Sequence, residues 1–337
     1  MIIKILNRFL LITSIIWLLI SCEQEIQISA DGKTIPVIYA IINPEDSIHF
    51  IRISRSFKGT ADASESAQNP DSICYEILTP KIEFFTESGW KYYELKFTPA
   101  PNSDKEVGYF TNKGLQLYQC ETDISAFFIK GTHLVLNISI GNQQRLVSAD
   151  INYLEPPKIF APRQGLRTLL EFYALPFEIG FEDPLGFARY EAHLLFHIKN
   201  IMKNGDTVLQ TIDKSFIRNT QNGHIPGDHK NISIYVPGDL FLAQVRQDVK
   251  DDPNVDYRLP GQIEVILYTG SSEFYDYIDL NKITDDYGGQ IVTNIVGGLG
   301  VFALKYREKV TNIFLGPITM DSLLRGRFTR RLNFKDW

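Results

Sequence analysis

The sequence predicts an all-β protein, mainly antiparallel, made of two β-sandwich-like domains. Three observations predict this class. Short stretches rich in β-branched and aromatic residues recur along the chain, Gly, Pro, Asn or Asp bounds them, and helical periodicity is almost absent. Short strands separated by turn residues are typical of antiparallel sandwiches, so the first domain is predicted to be immunoglobulin-like.

The first domain is predicted to span residues 35–154. Its first strand, at 35–42, is almost entirely apolar, and the next, at 49–54, alternates as a half-buried strand does. Residues 58–72 contain almost no large apolar side chain, which indicates a loop. Further strands are predicted at 81–86, 91–97, 108–111, 116–120, 133–140 and 144–151.

The second domain is predicted to span residues 158–337, because the proline pair just before it cannot continue a ladder. One short helix is predicted to interrupt its strands, since Ser271 precedes an aromatic segment at 274–280 with a helix-start pattern. Arginines alternate with apolar residues over 325–332, which predicts a charged edge strand. The other strands are predicted at 169–175, 177–181, 188–201, 207–217, 231–236 and 261–269.

Residues 1–21 have the features of a secretory signal peptide. Lys4 and Arg8 precede an apolar run at 9–20, and the small residue Ser21 stands directly before Cys22. A lipoprotein-processing enzyme requires this arrangement, because it cuts between Ser21 and Cys22 after the Cys22 thiol has received diacylglycerol; palmitate is expected among the attached chains. An uncleaved transmembrane helix is disfavoured, since the run would extend about 18 Å against about 30 Å of hydrocarbon.

The polar residues 22–34 are expected to form a tether between the lipid and the first domain. Glu23 and Glu25 follow the cysteine and resemble the signal that carries Bacteroidota lipoproteins to the outer face of the outer membrane. The expected location is therefore the outer membrane, with the cell surface and the periplasmic face as alternatives. No second apolar stretch is long enough to span a bilayer, so the lipid is the expected membrane contact.

The charge of the chain argues against nucleic acid as a partner. Removing the signal peptide takes two of the 34 basic residues and none of the 40 acidic ones. The mature chain then carries 32 basic and 40 acidic residues, a net charge of −8. A chain of this charge, without a basic tract, lacks the surface that neutralises phosphates.

Two cysteines remain besides Cys22, namely Cys74 and Cys120. Both lie in the predicted first domain, and the exported side of a bacterial membrane permits disulfides. Two alternatives stay open, a disulfide between them and a pair of buried thiols that behave as small apolar side chains.

The aromatic residues of the predicted helix are the candidate ligand site. Phe274, Tyr275 and Tyr277 offer flat faces and polar tips to a ligand, although packing of the helix against a sheet is the favoured alternative. His193 and His197 share one face of the strand at 188–201, but neither an HExxH motif nor a third ligand accompanies them. No metal site, cofactor or catalytic residue is therefore predicted.

Four short motifs occur together late in the chain: LYT at 267–269, SEFYDY at 272–277, TNI at 293–295 and GGLGVF at 297–302. Together with the signal peptide that ends at Ser21, directly before Cys22, they resemble the uncharacterised Bacteroidota lipoproteins that carry a DUF4249-type domain of unknown function. The chain differs after Phe302, where Ala303, Leu304 and Lys305 replace a glycine-rich stretch. Such proteins are encoded near TonB-dependent transporters, so the resemblance implies an accessory role and no established reaction.

Three functional hypotheses follow. The leading one is a non-enzymatic outer-membrane lipoprotein that binds a nutrient or a partner beside a TonB-dependent transporter. The second is an exported carbohydrate-active hydrolase, whose two carboxyl groups would meet only in the folded protein. The third is an adhesive or structural surface protein, which a flat exposed face without a cleft would favour.

Overall fold

The computed structural model describes residues 34–56, 67–86, 89–99, 116–121, 133–141, 145–153, 155–172, 175–183, 189–219, 230–287 and 292–336. Ser21, Cys22 and the rest of the predicted signal peptide, the tether up to residue 33, the strand predicted at 108–111 and most of the loop predicted at 58–72 lie outside these residues. From Ile35 to Trp337 the chain forms one compact unit. The described part contains no helix that is long and apolar enough to cross a membrane.

Strands dominate the described residues, and four helices accompany them there. The N-terminal half contains β1 Pro36–Ile42, β2 Ile48–Arg55, β3 Leu78–Thr86, β4 Gly89–Glu94, β5 Lys96–Pro99, β6 Gln116–Glu121, β7 His133–Ile140 and β8 Arg145–Asn152. The C-terminal half contains β9 Lys158–Ala161, β10 Thr168–Leu170, β11 Phe177–Asp183, β12 Arg189–Met202, β13 Thr207–Asn219, β14 Lys230–Val236, β15 Val255–Gly270 and β16 Leu299–Leu315. The helices are α1 Pro70–Ile73, α2 Gly238–Asp248, α3 Ser272–Tyr287 and α4 Pro317–Arg325.

The described strands form three sheets, the largest of which has nine strands. Eight of the nine follow the order β13-β12-β15-β16-β1-β2-β6-β5, and β10 also pairs with β16. Most neighbours are antiparallel, whereas β1 and β10 run parallel to β16. The smaller sheets have the orders β14-β11-β9 and β4-β3-β7-β8. The predicted class, all-β and mainly antiparallel, is confirmed.

Strands β1 and β16 join the two halves of the chain. They pair in parallel from Val37 with Leu299 to Ile42 with Leu304, although each comes from a different predicted domain. The predicted division between residues 154 and 158 is therefore not a break in the largest sheet. A proline pair indicates where a ladder ends, but it does not indicate that the strands on either side bury separate cores.

Buried side chains from all three sheets contribute to one large core, and Val301 and Ala303 of β16 form a smaller second cluster with Phe274. Ile51 and Leu136 from the N-terminal half pack in the same cluster as Phe181, Phe196 and Phe302 from the C-terminal half. Each fully buried side chain of this size contributes about 1.5–3 kcal/mol relative to an exposed one. The two halves therefore stabilise each other.

The alternation along β12 is confirmed. Ala192, Leu194 and Phe196 are buried, while His193 and His197 lie on the half-exposed face of the sheet. The helix predicted after Ser271 is also confirmed as α3. The Ser271 hydroxyl accepts a hydrogen bond from the Leu304 amide at 3.2 Å, which links the start of α3 to β16.

Helices α2 and α4 were not predicted from the sequence, and the edge strand predicted at 325–332 is wrong. Helix α4 begins with Pro317 in its first turn and ends at Arg325, after which the chain forms turns. The Glu171 carboxylate accepts the amide N–H groups of Ile318 at 3.3 Å and Thr319 at 3.0 Å. A carboxylate from a distant segment therefore caps α4, which local alternation cannot reveal.

Burial of His49 makes the stability of the fold depend on pH. Burial lowers the pKa of His49 from its ordinary 6.5 to about 4. The negative charge of Asp46 acts in the opposite direction and raises this pKa, but by less. Between these pH values the unfolded chain binds more protons, so stability falls as pH decreases through that window. We expect His49→Gln to weaken this loss, measured as the free energy of unfolding in urea at pH 4.5 and 7. His133→Gln, at a half-exposed site, is the control, and an unchanged pH dependence in His49→Gln would contradict this account.

Candidate functional site

The aromatic residues predicted as a ligand site fasten α3 to the largest sheet. Phe274 is buried against Val301 and Ala303 of β16, and Tyr275 and Tyr277 pack beside it. The Tyr277 hydroxyl donates a hydrogen bond to the Tyr39 hydroxyl of β1 at 3.2 Å. All of these contacts are made within the protein. They are the contacts expected if the aromatic residues pack the helix against the sheet.

An arginine strengthens the attachment of α3. The Arg189 guanidinium lies 5.1 Å from the centre of the Tyr275 ring and donates hydrogen bonds to both carboxylate oxygens of Asp279, at 3.0 and 2.9 Å. Burial raises the pKa of Tyr275 to about 12, although Arg189 opposes that rise. Tyr275 therefore stays protonated at neutral pH, as a packed aromatic residue does.

Cys74 and Cys120, for which the sequence left open a disulfide or two buried thiols, are thiols in the structure. Cys120 is buried in β6, and burial raises its pKa to about 11. Cys74 follows α1 and is half-buried. The structure thus corresponds to the second alternative for Cys120, a thiol that packs as a small apolar side chain.

An open cleft with a volume of about 670 Å³ lies between the largest sheet and α4. Ligand sites typically have volumes of about 300–1,000 Å³. A side hollow of about 390 Å³ adjoins it, and both are lined by Arg167, Leu315, Met320 and Asp336. We use "the cleft" for the larger hollow and "the side hollow" for the smaller one.

An irregularity in the sheet shapes the cleft. The pairing of β12 with β15 shifts register between Phe196 and Ile198, and a methyl group added at Gly261 would lie 2.7 Å from the carbonyl oxygen of His197. A bulge bends a strand and redirects its side chains. His197 and Lys199 line the cleft at this bend, and Gly261 permits the close approach of the two strands.

The cleft combines an apolar surface with a few polar groups. Phe314, Leu315, Met320, Leu209 and Pro260 contribute apolar atoms. Thr211 and Gln262 contribute a hydroxyl and an amide group. Such a mixture suits a small organic ligand, because the apolar surface provides affinity and the polar groups fix orientation.

Hydrogen bonds and an ion pair hold His197 at the edge of the cleft. Its Nδ1 lies 2.8 Å from the Thr211 hydroxyl, and its Nε2 lies 3.6 Å from a carboxylate oxygen of Glu264. Lys309 contacts the same Glu264 oxygen at 2.8 Å. These contacts fix the orientation of the His197 ring.

A second histidine on the same face is held between two carboxylates. His193 Nδ1 lies 2.9 Å from both oxygens of Asp213, and its Nε2 lies 3.3 Å from Glu191. The carboxylates contact different ring nitrogens, so they do not converge on one point. Within the described ranges no group of three or more His, Cys, Asp or Glu side chains is arranged to hold a metal ion.

The carboxyl groups in the lining of the cleft bear on the hydrolase hypothesis. Glycoside hydrolysis uses two carboxyl groups on either side of the scissile bond. Among the described residues that line the cleft, Asp336 contributes the one carboxyl group.

No motif in the sequence could have located the cleft. Its lining comes from the segment before β10, from β12, β13, β15 and β16, from α4 and from the C-terminal segment. The one local signal is Gly261 inside a long strand, since a glycine there often marks a bulge or a close approach of backbone. The sequence analysis instead offered the aromatic residues of α3 as a candidate ligand site, with packing against a sheet as the favoured alternative.

Comparison with known protein families identifies the family of this chain. The family described as "Domain of unknown function (DUF4249)" matches residues 23–308. No curated protein matches the chain. Because the matched residues make up more than half of the 337-residue chain, the protein belongs to the family of the DUF4249 domain of unknown function.

Proposed function

We propose that this protein is an outer-membrane-anchored lipoprotein that binds a ligand as a non-enzymatic accessory subunit of a TonB-dependent nutrient transporter. The lipid anchor is supported by the sequence, in which Ser21 and Cys22 follow a charged and then apolar N-terminus. Association with a transporter is supported by the resemblance to Bacteroidota lipoproteins. The proposed location is the cell surface or the periplasmic face of the outer membrane.

The observation that carries the binding role is the cleft beside the largest sheet. Its volume of about 670 Å³ suits a small ligand, and its apolar lining is interrupted by amides, a histidine and charged groups. Most of these side chains stand on strands of the largest sheet. Binding groups held on strands keep their geometry better than groups on loops, so the cleft needs little reorganisation to accept a ligand.

The anchor is tested by replacing Cys22 with serine. Serine has no thiol to receive diacylglycerol, so Cys22→Ser is expected to remain an unprocessed precursor of higher mass. Membrane fractionation and intact-mass measurement check this, with Cys74→Ser as the control that keeps normal processing. Membrane-bound protein of mature size from Cys22→Ser would refute the anchor.

A further inference from the structure

One arginine stands where the cleft and the side hollow meet. Arg167 lines both spaces, and its guanidinium carbon lies 5.0 Å from the centre of the Phe314 ring. In the described part of the chain this guanidinium has no carboxylate partner within ion-pair distance. Among the described residues, the Arg167 guanidinium therefore forms no direct ion pair, and Asp336 is the acidic residue that shares its two spaces.

The second arginine of the side hollow provides a contrast. Arg325 lies 2.6 Å from the Asp321 carboxylate one helical turn earlier in α4. Its charge is already compensated, so it gains little from an additional anion. Arg167 differs because its guanidinium rests on an aromatic ring, an arrangement that leaves its N–H donors available to a carboxylate or phosphate.

The remaining lining defines the rest of the ligand. Leu209 is 75 % exposed and stands on the cleft wall, where an apolar ligand group would remove it from water. Lys199 adds a second positive charge to the cleft and Asp336 adds one negative charge, so Arg167, Lys199 and Asp336 together carry one excess positive charge. The lining therefore matches a ligand with one acid group and an apolar body.

We propose that the cleft binds an organic monoanion with an apolar body and that Arg167 binds its acid group. This proposal rests on the proposed binding function and adds the chemical class of the ligand. The guanidinium would form two parallel hydrogen bonds with the acid group, the arrangement in which arginine recognises carboxylates. The apolar body would lie against Leu209, Phe314 and Met320.

The test uses three probes with one apolar body and different charge. Phenylacetate, 2-phenylethanol and phenethylammonium are titrated calorimetrically into the lipidated protein in nanodiscs, with empty nanodiscs as background. We expect phenylacetate to bind at least about tenfold more tightly than the other two, because its hydrogen bonds to Arg167 are charge-assisted. Phenylmalonate, which carries two acid groups, is expected to bind more weakly than phenylacetate.

Variants locate the site and assign the role of Arg167. Arg167→Gln should remove the preference for phenylacetate and leave the affinity for 2-phenylethanol unchanged, while Arg325→Gln should change neither. Leu209→Trp fills the cleft from an exposed position and should abolish binding of all three probes. Equal affinities for the three probes, no binding of any of them, or unchanged binding in Leu209→Trp would overturn the proposal. Capture of a transporter from membranes does not depend on these affinities, so the proposed function can fail separately.

Discussion

Replacing Gly300 with alanine is expected to destabilise the whole protein by at least about 4 kcal/mol, an effect well above that of an ordinary substitution. Gly300 has a φ of +108° and pairs with Ile38 across the parallel junction of β16 and β1. An added methyl group would overlap the Ile38 carbonyl oxygen, so β1 would have to move away from β16. Because this junction unites the two halves of the core, thermal unfolding is expected to occur at least about 10 °C lower.

The control for Gly300→Ala is Gly89→Ala. Gly89 has a nearly equal φ of +102°, but no described atom lies within 4 Å of an added methyl group. Backbone strain alone costs about 1–3 kcal/mol. The additional loss of stability in Gly300→Ala, compared with Gly89→Ala, measures the effect of the close approach of the strands. Equal losses of stability in the two variants, read from circular dichroism melts, would contradict this explanation.

Replacing Arg258 with methionine is expected to cost about 3–5 kcal/mol of stability. Arg258 is buried, and its guanidinium donates hydrogen bonds to the carbonyl oxygens of Leu332 at 2.5 Å and Lys250 at 2.9 Å. Burial lowers the pKa of Arg258, and the charges of Asp251 and Asp252 oppose that change. Methionine fills similar space but leaves both carbonyl groups without this donor.

The backbone of Arg258 also holds the C-terminal segment, and Arg258→Met retains these backbone bonds. The Arg258 amide donates to the Asn333 carbonyl, and the Lys335 amide donates to the Arg258 carbonyl, so β15 holds the segment that carries Asp336. Urea titration checks the stability of Arg258→Met. Arg327→Met is the control, because the ion pair of Arg327 with Asp239 is largely exposed and contributes at most about 1 kcal/mol. A loss no larger than that of the control would contradict the role given to Arg258.

Local patterns in the sequence predict the strands well and their assembly poorly. Alternation predicted the buried and exposed faces of β12, and Ser271 marked the start of α3. The parallel pairing of Val37 with Leu299 joins residues that are far apart in the chain, and no local pattern encodes such a contact. The Pro156-Pro157 pair therefore gives no sign that strands on its two sides pair in one sheet.

The candidate site was harder to predict than the fold. Phe274 and its neighbours are a candidate site in the sequence because aromatic side chains serve both packing and ligand binding. In the structure, the contacts of these residues are those of packing. Arg167 had no distinguishing context in the sequence. Its importance depends on Phe314, which lies beneath it, and on Asp336 across the same spaces, and only the fold brings these residues together.

Capture from native membranes tests most directly whether this protein works beside a transporter in the outer membrane. The tagged, lipidated protein is purified from gently solubilised membranes, and the accompanying proteins are identified by mass spectrometry. A second outer-membrane lipoprotein with the same tag serves as the control. We predict a TonB-dependent transporter in near-stoichiometric amount with this protein and not with the control. Recovery of the protein alone would contradict the accessory role.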